Sequence, residues 1–202
     1  MKLSFHPLTP ARWPDLEALF MAKGCAIARG CWCMYYRESG KQTVPSGQTL
    51  QGVRKQRLQA LAGAEPPAGI IAYKGTTPVG WLSFGPRSGY AKLERSPVMK
   101  PVDDQPVWSV VCFVVPPEFR HQGVATALLK AAVAEARARG ARLLEAYPVD
   151  KATRGADDWD SPEGTVFNSG YTDHGFLVRG EHQLGRGGSK AAARPSSGSG
   201  LK

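Results

Sequence analysis

Cys112-Phe113-Val114-Val115-Pro116-Pro117-Glu118-Phe119-Arg120-His121-Gln122-Gly123-Val124-Ala125-Thr126 decides the reading of this chain. It closes a near-continuous apolar run, Val107 to Val115, which is too short to cross a membrane and fits a strand buried on both faces. Two prolines end that strand. A long helix is predicted from about Gly123 to Arg139, with Leu128, Leu129, Ala132, Val133 and Ala136 as its inner stripe and Gly140 as its C-cap. The turn between them contains Arg120-x-x-Gly123-x-Ala125. A helix N-terminus offers unpaired N–H groups and a positive dipole end. Small residues at 123 and 125 let an anion approach the backbone, a geometry that suits a pyrophosphate. Neither Gly-x-Gly-x-x-Gly nor Gly-x-x-x-x-Gly-Lys-Ser/Thr is present, so the commoner phosphate loops are excluded.

Outward from this unit, Leu3–Leu8 reads as a first strand. Thr9-Pro10 offers an N-cap and an N1 proline to a helix carrying Trp13, Leu16, Leu19 and Phe20. Residues 24–37 read as a loop, and a second helix spans Gln48 to Leu61, ended by Gly63. Ala68–Tyr73 and Val79–Phe84 form a hairpin across Lys74–Pro78. Residues 85–106 read as loop and Leu143–Tyr147 as a further buried strand. Val166–Asp173 is expected as a short helix and Gly175–Arg179 as a last strand. The order β-α-α-β-β-β-α-β-α-β gives a mixed α/β fold with at least one strand–helix–strand crossover. One domain is expected over 1–182. Residues 183–202 have the Gly/Ser/Arg composition of a disordered tail.

The chain has 202 residues, 42% of them hydrophobic, which excludes wholesale disorder. Its net charge is +9, of which Arg186, Lys190, Arg194 and Lys202 in the tail supply four. The body is therefore only moderately basic. With no recognition motif, nucleic acid is not an expected partner. No secretory signal or membrane span is visible, so a cytoplasmic location is expected, with Cys25, Cys31, Cys33 and Cys112 as free thiols. Cys31-Trp32-Cys33 lacks the second cysteine pair of a zinc site, so no metal is expected.

The strand–turn–helix unit resembles the acyl-CoA-binding motif of the GNAT N-acetyltransferases, Val-x-Pro-x-x-Arg-x-x-Gly-x-Gly/Ala between a strand and a helix. That resemblance implies a GNAT-like mixed, mostly antiparallel sheet with a β-α-β CoA-binding core flanked by helices. It implies acetyl-CoA as cofactor. Backbone contacts to the pantetheine arm map onto Phe113 and Val115. Pyrophosphate contacts map onto Arg120, His121, Gln122, Gly123, Val124, Ala125 and Thr126. Gly80-Trp81 looks like the family's Val-Gly, and Tyr171-Thr172-Asp173-His174-Gly175-Phe176 resembles its Leu-Tyr-Glu-Lys-x-Gly-Phe. By resemblance Tyr171 is the general acid. A phenol stays protonated at neutral pH and can donate to a departing thiolate.

A primary amine must shed a proton before it attacks, and the glutamate many members carry on the strand before the CoA turn is missing here. Glu145, through a water chain, is one candidate base; pairing with a nearby arginine is its other reading. Asp150 and the Asp103-Asp104 pair are further acids for such a chain. Asp103, Asp104 and the Asp157-Asp158-Trp159-Asp160 segment could hold a cationic or sugar-like amine through charge and ring stacking. Trp32 and Tyr35 are expected to wall the acceptor pocket, with Trp108 and Asp150 beside it; core packing is the rival reading of the aromatics. This combination is similar to a bacterial GNAT subgroup and to aminoglycoside acetyltransferases of the kasugamycin type. The expected acceptor is a small cationic amine, with an aminoglycoside as the leading example, acetylated by direct transfer in a monomer or homodimer. A protein or peptide acceptor and a non-catalytic acyl-CoA-binding module are the alternatives. Cys112, in an apolar strand, reads as an inert core thiol rather than an acyl carrier.

Overall fold

The computed structural model of the chain describes residues 2–96, 99 and 104–146. Five strands form one sheet in the order β1-β2-β3-β4-β5: Ser4–Pro7, Gly69–Lys74, Thr77–Pro86, Trp108–Val114 and Leu144–Ala146. The first four pair antiparallel, and β4 pairs with β5 in parallel, as the long intervening helix requires. The mixed, mostly antiparallel sheet expected from the sequence is therefore present.

Helices α1 (Trp13–Met21), α2 (Ala26–Cys31), α3 (Leu50–Ala60), α4 (Ala91–Glu94) and α5 (Val124–Ala138) surround it. The stripe read from the sequence is buried: Leu128, Leu129, Ala132, Val133 and Ala136 pack α5 onto Ile70, Leu82, Val110 and Phe113. Gly80 sets the distance between helix and sheet. A Cβ there would meet Val124 Cγ1 at 2.9 Å and Leu128 Cδ1 at 3.0 Å. On the opposite face Leu16, Leu19 and Phe20 of α1 join Trp32, Leu58, Ile71, Trp81 and Val114 in a second cluster.

Two sequence readings change. The segment 24–37 is not all loop, because α2 occupies Ala26–Cys31. Residues 85–106 are not all loop either: Arg87–Gly89 forms a 3-10 turn and Ala91–Glu94 a short helix that buries Leu93. The predicted elements after residue 147, and the tail boundary at 183, lie outside the described residues. Among the described residues no helix is long and apolar enough to cross a membrane.

Candidate active site

Strand β4 carries a bulge. Ser83 pairs with Cys112 and Phe84 with Val110, which leaves Val111 as an extra residue. Val110 and Phe113 face α5, whereas Val111 packs with Tyr90 and Leu93, and Val114 joins the α1 side. The bulge thus re-aims the strand partway along. Its outer edge also changes there: β5 pairs only with Trp108, Ser109 and Val110. From Val111 onward no described strand covers that edge.

The chain then passes Pro116 and a 3-10 turn, Pro117–Phe119, and enters α5. His121 and Gly123 both hold left-handed backbone, φ +58° and +78°. The first α-helical bond of α5 runs from the Ala127 N–H to the Gly123 carbonyl at 3.0 Å. The N–H groups of Val124, Ala125 and Thr126 precede it and have no partner within the helix. Residues 120–123 are exposed, and a Cβ on Gly123 would meet nothing within 4 Å. The result is an open cluster of amide donors at a positive dipole end, which fits a pyrophosphate.

Two side chains of this turn brace it. Arg120 donates through Nε to the Val115 carbonyl at 2.9 Å and through a terminal nitrogen to the Gly24 carbonyl at 3.3 Å. Gln122 Nε2 donates to the Glu118 carbonyl at 2.6 Å. Arg120 therefore ties the strand end, the α1–α2 connection and the turn together, a role the motif alone did not reveal.

Glu145 is held in a buried ion pair. Arg87 donates to its Oε1 at 2.5 Å, the Ser109 hydroxyl donates to the same oxygen at 2.7 Å, and both charged side chains are 5% exposed. Arg87 also donates to the Leu93 carbonyl at 3.0 Å and to the Met99 carbonyl. The carboxylate anticipated as a base instead joins β5, β4 and the 87–99 segment, the paired reading left open by the sequence.

Trp32 corrects a second expectation. It is 1% exposed and stacks on Phe20 with centroids 4.6 Å apart and on Trp13 at 5.9 Å. It is core and cannot wall an acceptor pocket. Tyr35 is exposed and lines a cleft of about 320 Å³ with Glu38, Gln42, Arg54, Lys92, Arg95 and Met99. Lys92 Nζ sits 3.2 Å from the Tyr35 ring centroid. Glu38 in that wall is neutralised by Arg54 at 2.9 Å and Arg57 at 2.5 Å. Among the described residues Lys92 and Arg95 have no acidic partner, so the cleft is net positive. Trp108 is half-buried at the far end of β4 from the turn, with its ring 5.5 Å from Phe84. Asp104 is exposed. Tyr171, Asp103, Asp150, Asp157, Asp158 and Trp159 lie outside the described residues.

The family profile described as "Acetyltransferase (GNAT) family" matches residues 32–157. Among solved structures, the chain is similar to an aminoglycoside acetyltransferase from an uncultured soil metagenomic sample in complex with sisomicin. The identity is 15%, covering 78% of this chain and 84% of that one, with a TM-score of 0.45. It is similar to an aminoglycoside 6'-N-acetyltransferase of Acinetobacter baumannii at 16% identity, covering 72% and 78%, TM-score 0.46. It is also similar to a ribosomal-protein-alanine N-acetyltransferase of Brucella melitensis biovar Abortus 2308 at 16% identity, covering 72% and 80%, TM-score 0.44. No curated protein matches the chain.

Proposed function

Because the chain belongs to the GNAT acetyltransferase family, and is thus an acetyl-CoA-dependent N-acetyltransferase, we propose that it acetylates a primary amine of a small cationic molecule by direct transfer. The observation that carries this reading is the open amide cluster at the start of α5, set beyond a bulged strand edge. The amides of Val124, Ala125 and Thr126 would hold the pyrophosphate. The β4 backbone at Phe113 and Val115 would align the pantetheine arm. Acetyl-CoA supplies the activated acetyl thioester. This chain's part is to orient both reactants and to offer backbone donors to developing negative charge. Tyr171 is proposed as the acid that protonates the leaving thiolate. Glu145 is left out of the base role because its carboxylate is committed to Arg87 and Ser109.

A cationic acceptor, of which an aminoglycoside is the leading example, is supported by the Asp103-Asp104 pair and by the aspartates at 157, 158 and 160 that flank Trp159 in the sequence. A peptide or protein acceptor is the second reading. The cleft bearing Lys92 and Arg95 favours it, since that charge suits an acceptor with acidic groups. The test is thiol release from acetyl-CoA across a panel of aminoglycosides including kasugamycin, polyamines, basic peptides and acidic peptides. Turnover with an aminoglycoside or polyamine is expected. Turnover confined to acidic peptides would move the acceptor assignment to the basic cleft. Acetyl-CoA binding without turnover on the whole panel would favour a binding module.

A further inference from the structure

The walls of the cleft beside Tyr35 come from three separate stretches of chain, and each is fixed in place. Arg54, on α3, is held by the Glu38 carboxylate at 2.9 Å and by the Gly30 carbonyl at 3.1 Å. The Lys92 N–H donates to the Tyr36 carbonyl at 3.0 Å, which ties α4 to the segment after α2. Tyr36 in turn meets Tyr35 edge-on, with ring centroids 5.0 Å apart. Ser96 follows α4, and its Oγ accepts the Met99 N–H at 3.1 Å. The cavity encloses about 320 Å³, at the low end for small-molecule sites.

Its charges do not balance. Glu38, the acid among its described lining residues, is taken up by Arg54 and by Arg57 at 2.5 Å. Glu94, the acid of α4, is turned to Arg87 at 3.0 Å. Lys92 and Arg95 are left without an acidic partner among the described residues. Three residues apart on a helical turn, they are neighbours, and both line the cleft. Lys92 Nζ rests on the Tyr35 ring, a contact that positions a cation without neutralising it. Lysine and arginine bring donors and no acceptor, and the hydroxyls of Ser39 and Ser96 can donate as well. A donor-rich cleft with surplus positive charge selects an oxyanion, a carboxylate or a phosphate. The cleft also backs onto the bulge of β4. Met99 in its wall packs on the cluster of Tyr90, Leu93 and Val111, and Val111 is the extra residue of that bulge. From Val111 onward no described strand covers the outer edge of β4.

We propose that this cleft is the subsite for an acidic group of the acceptor, so that the molecule acetylated carries a carboxylate or phosphate as well as its amine. The inference rests on the acetyl-transfer reading and names an acceptor class within it. Lys92 and Arg95 bind the oxyanion, and Ser39 and Ser96 donate to its remaining lone pairs. The amine lies at the other end of the molecule, on the side of the open β4 edge. The aspartates that support an amine and the cations that support an acid thus address opposite ends of one ligand. An amine without an acid gains nothing from the cleft and meets its positive charge.

Matched probes are titrated into the full chain by ligand-observed NMR: aminohexanoate, aminohexyl phosphate and hexylamine, each with its amine at the chain end. At least one of the acids should bind about tenfold tighter than hexylamine or better, as charge-assisted hydrogen bonds allow. The tighter acid identifies the group that the cleft prefers. The preference should vanish in the K92Q/R95Q double variant and persist in K130Q, which removes an exposed charge from α5 instead. Equal binding of all probes, binding of none, or a preference that survives in K92Q/R95Q would overturn the proposal. Acetyl-CoA is titrated into the same proteins. Its affinity should be unchanged in K92Q/R95Q; a fall there would give these cations to the acyl donor and overturn the acceptor role. No acetyl-CoA binding to the wild type would instead fail the acetyl-transfer reading, a result distinct from failure of the acid preference.

Discussion

Gly123 and Trp32 both occupy left-handed backbone, at φ +78° and +46°, for different ends. At Gly123 the missing side chain leaves open space over the α5 amides. At Trp32 a large ring is driven into the core, and the backbone bends around it to present the Cys33 N–H to Cys31 Sγ. The second case was not legible in the sequence. Cys-Trp-Cys does not announce a positive φ, and an aromatic loop reads equally as pocket wall or core. That N–H at the Cys31 sulfur, 3.2 Å away, makes a prediction about acidity. Native-state alkylation of Cys31 by iodoacetamide should stay flat between about pH 5 and 8, because a thiol whose pKa is depressed is already ionised across that range. An ordinary thiol would instead gain about tenfold per pH unit there. Such a slope, with its midpoint above about 8, would contradict a depressed Cys31 thiol.

At the scale of elements, the long apolar strand and the striped helix after it were legible because each is long enough for its period to be unambiguous. The α2 helix was not: it has six residues, of which only Ala28 is buried along the helix, so no stripe can show. The Arg87–Ser109–Glu145 contact was equally hidden, since it joins three elements through single polar residues. Its cost when broken is predictable. Removing Glu145 leaves the buried Arg87 guanidinium only the more exposed Glu94 carboxylate at 3.0 Å, so E145A should lower unfolding free energy by about 3 kcal/mol. Chemical denaturation checks this, and a loss below about 1 kcal/mol would show that the pair is not a tie between β4 and β5. Gly80 makes a second prediction. Its Cβ vector points at Val124 and Leu128 within 3.0 Å, so G80V must push α5 off β3. A cost of about 1–3 kcal/mol is expected for such overpacking; an unchanged denaturation midpoint would contradict the close crossing.

Over the whole molecule, the sheet divides the core into an α5 face and an α1–α3 face, and β4 serves both. Its early residues are locked between β3 and β5. Its later ones turn past the bulge toward the open amide cluster. This division gives the proposed leaving-group acid a clear test. Y171F should lower kcat while acetyl-CoA affinity holds, since the nucleotide contacts are placed on α5; an unchanged kcat would remove Tyr171 from the reaction. The central claim is more basic, that the turn from Arg120 into the first residues of α5, up to Thr126, is where the acyl donor's pyrophosphate is held. Calorimetric titration of acetyl-CoA into the wild-type chain and G123V tests it most directly. A non-glycine residue at φ +78° costs about 1–2 kcal/mol or forces the turn to rearrange. The account predicts saturable binding to the wild type, weakened about tenfold or more in a G123V variant that remains folded, since about 1.4 kcal/mol is a factor of ten. No heat of binding to the wild type, or equal affinity for the two proteins, would contradict it.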